Sequence, residues 1–160
     1  MSADTARRIA DFLDAHHVLS LATCGRNGPH AASVLYAREG FALLWVSDPK
    51  TQHSMEIEVE NRVAATVAPG CRDFNDIVGV QICGRARAII DASERISARN
   101  ILETRYPFLT RLSELPPVLR DAYGCVAFYR LEPERITLID NSRGFGQKEM
   151  LELQNGNSAA

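Results

Sequence analysis

Three short apolar stretches with strand-forming side chains follow one another early in the chain, and only tight turns separate them. The predicted strands are Val18–Thr23, His30–Tyr36 and Phe41–Ser47. Asn27-Gly28 suits the first hairpin turn because it tolerates a positive φ, and Arg38-Glu39-Gly40 supplies the second turn. A doubly wound parallel sheet would need a helix between each pair of strands. The pattern therefore predicts an antiparallel meander.

The rest of the chain adds helices and further strands to this meander. Seven or eight mostly antiparallel strands with inserted helices indicate a mainly β, α+β fold that closes into a barrel. Gly84 lies inside the longest predicted strand, where it is expected to mark a bulge or a bend. The predicted helices run from Asp4 or Thr5 to about His16, from Pro49 to about Glu58 and from a Ser93 cap to about Arg105, and the remaining predicted strands are Arg62–Ala68, Val78–Ile90, Cys125–Leu131, Arg135–Asp140 and Met150–Leu153.

The composition is that of an ordinary globular domain. At 160 residues, with 46% apolar and 24% charged side chains, the chain is expected to form one domain over residues 1–153 and a flexible tail over residues 154–160. The net charge of −2 gives no reason to expect nucleic acid or an anionic membrane as a partner. The polar start is unlike a signal peptide and no apolar run approaches the length of a membrane span, so we expect a cytoplasmic protein.

The four cysteines, at positions 24, 71, 83 and 125, are widely spaced and form no metal-ligand pattern. We therefore expect no metal site. Cys83 and Cys125 lie in apolar, strand-like runs, which predicts that both are reduced residues of the core.

The break between the third predicted strand and the helix that follows it carries a cluster of polar side chains. Asp48 is a good N-cap and Pro49 fits the first helical position, so free amides and the positive end of the helix dipole are expected there. This environment suits a phosphate, although the Asp48 carboxylate competes for the same amides and the junction can also be a simple helix cap. The phosphate-binding candidates are Ser47, Lys50, Thr51, Gln52 and His53, and Lys50 is one of only two lysines in the chain.

The order of these elements resembles the FMN-binding split barrels related to pyridoxamine 5′-phosphate oxidase. The resemblance runs from about Ile9 to Leu153 and is sharpest, towards the small YhbP-type bacterial family, in three segments: Lys50-Thr51-Gln52-His53, Gly79-Val80-Gln81 and 140–148. It implies an antiparallel split β-barrel that forms a homodimer, with FMN near the dimer interface.

The resemblance also assigns roles to particular residues. It places Thr51, Gln52 and His53 at the FMN phosphate, with Lys50 adjacent, and Val46 and Ser47 at the ribityl-phosphate. It places the strand segment Ser33, Val34, Leu35 and Tyr36 so that its backbone lines the isoalloxazine ring. Gln81 is the side chain we expect next as a donor to the N1–O2 edge of the flavin, although it can also be a satisfied polar residue of the barrel wall.

The sequence departs from the oxidase pattern at positions that bear on which reaction is expected. Ala32 and Ala37 stand where the oxidases carry basic residues on the second strand, and Gln52 replaces a basic phosphate ligand, so pyridoxamine phosphate oxidation itself is not expected. The hypothesis is an FMN-dependent oxidoreductase that transfers hydride at flavin N5 with NADH or NADPH as donor. The alternatives are a non-catalytic binder of FMN, haem or a deazaflavin, and a structural dimer in which the junction between the third strand and the following helix is only a helix cap.

Overall fold

One curved antiparallel sheet of eight strands dominates the computed structural model, which describes residues 3–114, 116–117 and 124–153. The predicted tail, 154–160, lies outside the described residues. The strands are β1 (Val18–Gly25), β2 (Gly28–Leu35), β3 (Ala37–Glu39), β4 (Ala42–Ser47), β5 (Arg62–Val67), β6 (Val78–Ala88), β7 (Ala127–Asp140) and β8 (Lys148–Glu152). The helices are α1 (Ala3–Ala15), α2 (Gln52–Val59) and α3 (Ala92–Arg105), with short 3-10 helices at Phe74–Asp76, Pro107–Glu114 and Asn141–Arg143.

The strand order across the sheet is β2-β1-β5-β6-β7-β4-β3, with β8 paired to β7 beside this path. The β1–β2 hairpin forms as predicted, with Gly28 at a φ of 102°. The predicted meander is wrong in its third strand, because β4 pairs with β7 and not with β2. The chain is redirected at Tyr36, whose ring is fully buried, whose amide donates to the carbonyl of His17 and whose hydroxyl donates to the carbonyl of Leu13 at 2.7 Å.

A bulge between β6 and β7 keeps the longest strands of the sheet continuous. The register shifts between Cys83 and Gly84, so that Gly84 faces Pro133 and Cys83 faces Arg135. This shift confirms the expected bulge, and a Cβ on Gly84 would lie 2.2 Å from the carbonyl oxygen of Glu132, so the position requires a glycine. The two strands predicted on either side of Pro133 are instead one strand, because a bulge tolerates a proline that cannot donate to the ladder.

Two other predictions at this level are wrong. The cap of α3 is Asp91 and not Ser93: the carboxylate of Asp91 accepts from the amide of Glu94 at 2.9 Å, and Ser93 donates its hydroxyl to the same carboxylate. Cys83 and Cys125 are exposed, because Cys83 points outward from β6 and Cys125 precedes β7.

Two apolar clusters hold the elements together. The larger fills the inside of the curved sheet and takes in Ile9 and Leu13 of α1 and Ile57 of α2. The smaller lies between α3 and the back of β4 and β7, where Leu44 and Leu102 meet. Since α2 also packs against β1, β2 and β6, its first turn is fixed beside the end of β4. In the part of the chain that the structure describes, no helix is long and apolar enough to cross a membrane.

Candidate functional site

The junction between β4 and α2 differs from the predicted helix cap. Thr51, and not Asp48, occupies the N-cap position, so α2 begins at Gln52. The Asp48 carboxylate accepts from the amide of Lys50 at 2.8 Å, and the Asp48 carbonyl accepts from the amide of Thr51 at 3.0 Å. Because of this tight turn, the helix begins three residues later than predicted, and Thr51 makes no side-chain capping hydrogen bond. The carboxylate that was expected to compete for the first helical amides is therefore used before the helix starts.

Hydroxyl and imidazole groups converge at this junction. The Oγ of Ser47 lies 2.8 Å from the Nε2 of His53 and 3.3 Å from the Oγ1 of Thr51, and Thr51 Oγ1 lies 3.2 Å from the same nitrogen. Thr51 Oγ1 also lies 2.8 Å from the Oγ of Ser54. We call these four residues, Ser47, Thr51, His53 and Ser54, the corner. Sequence reasoning missed Ser54, although its spacing of three residues from Thr51 places both on one side of the helix.

Burial sets the charge of the corner. His53 is only 7% exposed, and burial lowers the pKa of its imidazole, with the neighbouring His30 adding to the effect and Glu56 opposing it. His53 is therefore neutral at neutral pH before an anion binds. A buried imidazole between two hydroxyls can donate to a phosphate oxygen, and it gains a further donor when it is protonated.

The other candidate residues are chain neighbours of the corner residues. Lys50 is exposed and immediately precedes Thr51 of the corner in the chain. Gln52 is exposed and donates its side-chain amide to the Glu56 carboxylate at 2.9 Å, away from the hydroxyl cluster. Val46, the residue before Ser47, is half-buried.

The predicted flavin strand is an edge of the sheet. β2 ends the strand order, so one of its backbone edges has no strand partner in the described sheet. Ser33 and Leu35 are exposed and Val34 is half-buried, whereas the Tyr36 ring belongs to the core. Because the Tyr36 amide already donates to His17, the donors that this segment offers to a ring come from the residues before Tyr36.

Gln81 lies on the outside of the sheet in β6, away from the free edge of β2 in the same chain. Cross-strand pairing gives an outer row of residues in the order Ser33, Ser20, Thr66, Gln81, and all four are exposed. Three strand spacings separate Ser33 from Gln81, which is about 14 Å. The structure therefore does not bring Gln81 to the side of Ser33 within one chain.

The amino-acid sequence of the chain matches a protein family and several known proteins. The family model described as pyridoxamine 5′-phosphate oxidase matches residues 5–139. A UPF0306 protein of Yersinia pestis is 28% identical over 147 residues, which cover 91% of each chain. General stress protein 26 of Bacillus subtilis is 29% identical over 84 residues, 52% of this chain, and the match spans 59% of that protein.

Solved structures share the fold. A haem-binding protein from Mycobacterium smegmatis superposes with a TM-score of 0.69 at 19% identity, covering 92% of this chain and 56% of that one. An FAD-binding protein from Mesorhizobium loti superposes with a TM-score of 0.65 at 19% identity, covering 85% of this chain and 92% of that one. The fold is thus a split barrel whose structural neighbours include a flavin binder and a haem binder.

Proposed function

The chain belongs to the pyridoxamine 5′-phosphate oxidase family, and we propose that it binds FMN with the phosphate at the corner. The observation that carries the proposal is the convergence of the Ser47 hydroxyl, the Thr51 hydroxyl and the His53 Nε2, each within 3.3 Å of the other two, at the start of α2. A phosphomonoester has three strong acceptor oxygens, and this group of donors matches that chemistry.

The backbone and the rim of the corner strengthen the match. The first amides of α2 and the positive end of its dipole favour an anion, and the exposed Lys50 ammonium adds a charge at the mouth. The Asp48 carboxylate is directed to the Lys50 amide, so it does not occupy these helical donors. Without an anion, the hydroxyls of the corner bond to one another, and the Thr51 hydroxyl also donates to the Asp48 carbonyl at 2.8 Å, so an anion would replace some of these contacts.

The free edge of β2 is the proposed wall for the flavin ring. When bound, FMN supplies hydride chemistry at its N5 atom. The chain orients the ring with backbone groups of Ser33, Val34 and Leu35, and donors directed at the N1–O2 edge favour the reduced, anionic form. We propose an oxidoreductase that takes hydride from NADH or NADPH and passes it to a small acceptor.

Pyridoxamine phosphate oxidation is not part of the proposal. Ala37 is 1% exposed and packs in the cluster under α3, and Ala32 is a half-buried residue of β2. Neither position offers the basic group that an anionic pyridoxamine phosphate requires.

A second copy of the chain is the proposed partner. Ten neighbouring outward positions of β2, β1, β5 and β6 form an uncharged surface, which we call the outer face: Val18, Ser20, Ala22, Ala31, Ser33, Leu35, Ala64, Thr66, Gln81 and Cys83. Beyond it, the outward positions of β5 and β6 carry Arg62, Arg85 and Arg87. A two-fold axis through the middle of this face would carry Gln81 of the second copy to the Ser33 end of the first, because an isologous contact pairs one patch with itself. The flavin would then lie near the interface.

Haem is the second candidate, favoured by the haem-binding structural neighbour. One imidazole is already engaged at the corner, where the Nε2 of His53 lies 2.8 Å from the Oγ of Ser47. This contact supports FMN over haem at the corner. A deazaflavin and a non-catalytic role are further alternatives, which the experiment below separates.

The four cysteines support a reducing compartment. All four are exposed and unpaired, which fits the thiol chemistry of the cytoplasm. We propose that the protein acts there.

The visible spectrum of the protein tests the proposal. After FMN is added and the excess removed on a desalting column, we expect the absorbance of an oxidised flavin at a stoichiometry of about one per chain. A Soret band from protein loaded with haem, with no retained flavin, would contradict the proposal. Steady oxidation of NADH or NADPH by the loaded protein then separates an enzyme from a binding module.

A further inference from the structure

A second imidazole lies behind the corner. His30 of β2 stacks on His53 with the ring planes 5° apart and the centroids separated by 6.3 Å. The Nδ1 of His30 is buried and has no hydrogen-bond partner among the described residues. It lies 3.7 Å from the Oε2 of Glu56, which is longer than a hydrogen bond. An imidazole nitrogen in this state is available to gain a proton and a partner.

Glu56 is held as a carboxylate on the far side of His30. Its Oε2 accepts from the hydroxyl of Thr23 at 2.6 Å and its Oε1 accepts from the side-chain amide of Gln52 at 2.9 Å. The hydrogen bond from Thr23, followed by that from Gln52, lowers the pKa of the Glu56 carboxyl. A fixed negative charge therefore stands next to His30 throughout the neutral pH range.

We propose that His30 and His53 form a proton-accepting pair, so that a phosphomonoester binds at the corner with uptake of a proton by the pair. The inference rests on the proposed function and deepens it by naming His30 as a positioning residue that acts through His53. Without ligand, the pair, of which His53 is buried and His30 is 28% exposed, lies next to the Glu56 carboxylate. With a phosphate at Ser47 and Thr51, the pair would lie between two anions, and an opposite charge within about 4–6 Å commonly moves a pKa by 1–3 units.

Among the residues that the structure describes, the charged and titratable groups near the pair come from different elements. His53 interacts electrostatically with His30 on β2 and with Glu56 on its own helix, and its Nε2 lies next to the Ser47 hydroxyl at the end of β4. Arg87 lies on β6, another strand that packs on α2, and it forms an ion pair with Glu94 of α3. A proton gained by the pair can therefore be shared between a hydrogen bond from His53 to the phosphate and one from His30 to Glu56.

Proton uptake is measurable without any variant. Titration calorimetry of FMN into wild-type protein at pH 7, in three buffers with different ionisation enthalpies, gives the number of protons bound. We expect a net uptake of about 0.3–1 proton per FMN. The phosphate is mostly dianionic at this pH, since its second pKa is about 6, so it releases at most about 0.1 proton. Riboflavin, which lacks the phosphate, should bind with no net uptake.

Variants locate the proton. His30→Gln should keep FMN binding but reduce the uptake by at least about half, and His53→Gln should abolish it. His17→Gln, which changes an exposed histidine in contact with Tyr106, is the matched control and should leave the proton count unchanged. FMN binding to the wild type with no net proton uptake would overturn this inference and leave the proposed function standing. Failure of FMN to bind at all would overturn both.

Discussion

The Nε2 of His53 lies 2.8 Å from the Oγ of Ser47, which ties the first turn of α2 to the last residue of β4. The contact joins a strand end to a helix start across the turn at Asp48, so the donors of the corner are placed before any ligand arrives. Pre-placed donors lose little freedom on binding, which favours affinity.

Removal of the Ser47 hydroxyl tests this arrangement. Ser47→Ala should weaken FMN binding about 10–100-fold, because a hydrogen bond to a charged phosphate contributes roughly 1.5–3 kcal/mol. Riboflavin binding should change little. Ser97→Ala is the control: it removes a hydroxyl on α3 that lies 3.4 Å from the Glu39 carboxylate, and it should affect neither flavin. Equal losses for both flavins after Ser47→Ala would show that the hydroxyl does not contact the phosphate.

The stability of the ligand-free protein should depend on the protonation of His53. Burial lowers the pKa of this imidazole in the folded state, so folding favours the neutral form. Its contribution is present above the ordinary value of 6.5 and is lost as the pH falls through the lowered pKa. Urea unfolding of the wild type should therefore show a decreasing free energy of unfolding from pH 7.5 to 5.5. His53→Gln should flatten this slope, and a slope as steep in the variant as in the wild type would exclude His53 as its source.

The bulge between β6 and β7 should not tolerate a side chain at Gly84. A Cβ there would lie 2.2 Å from the Glu132 carbonyl oxygen, so Gly84→Ala must displace backbone and should cost at least about 1–3 kcal/mol of unfolding free energy. Gly70→Ala is the matched control, because no heavy atom lies within 4 Å of a Cβ built at Gly70. Thermal denaturation that gives equal midpoints for the two variants would refute the close approach.

The oligomeric state tests the role of the outer face. A buried, unpaired carboxylate is strongly unfavourable, so Ala22→Glu should convert the proposed dimer to a monomer in light scattering at micromolar concentration. Val59→Glu places the same charge on an 83% exposed position of α2 and should leave the mass unchanged. If wild-type protein already has the mass of one chain, the dimer proposal is wrong.

Local sequence patterns predicted most of the elements and a mainly antiparallel barrel, and the family resemblance implied the split barrel, but neither indicated which strands pair. The periodicity of residues 41–47 identifies a strand, yet nothing in that stretch indicates pairing with β7. The paired residues lie 80–88 positions away, and the pairing is selected by the burial of Tyr36 and the packing of Leu44 under α3. The strand break predicted around Pro133 was wrong for a related reason, since only the register opposite Gly84 shows that this proline lies in a bulge.

The site shows the same division between local and non-local information. Ser47, Thr51 and His53 come together as the sequence suggested, because they lie within seven consecutive residues. The exact helix start was missed, since an aspartate can close a turn as well as cap a helix. His30 and Glu56 could not be linked to the corner from sequence, because the contact of β2 with α2 is tertiary.

The preference of the protein for FMN over riboflavin tests the central claim most directly. The two ligands differ only in the terminal phosphate, and two charge-assisted hydrogen bonds to it correspond to a preference of at least about a hundredfold. Fluorescence-quenching titrations of both flavins should show this preference in the wild type. Lys50→Ala should reduce it, by weakening FMN and sparing riboflavin, and should make the salt dependence shallower. Equal affinity of the wild type for FMN and riboflavin would contradict the account, because the corner would then be a helix cap and not a phosphate site.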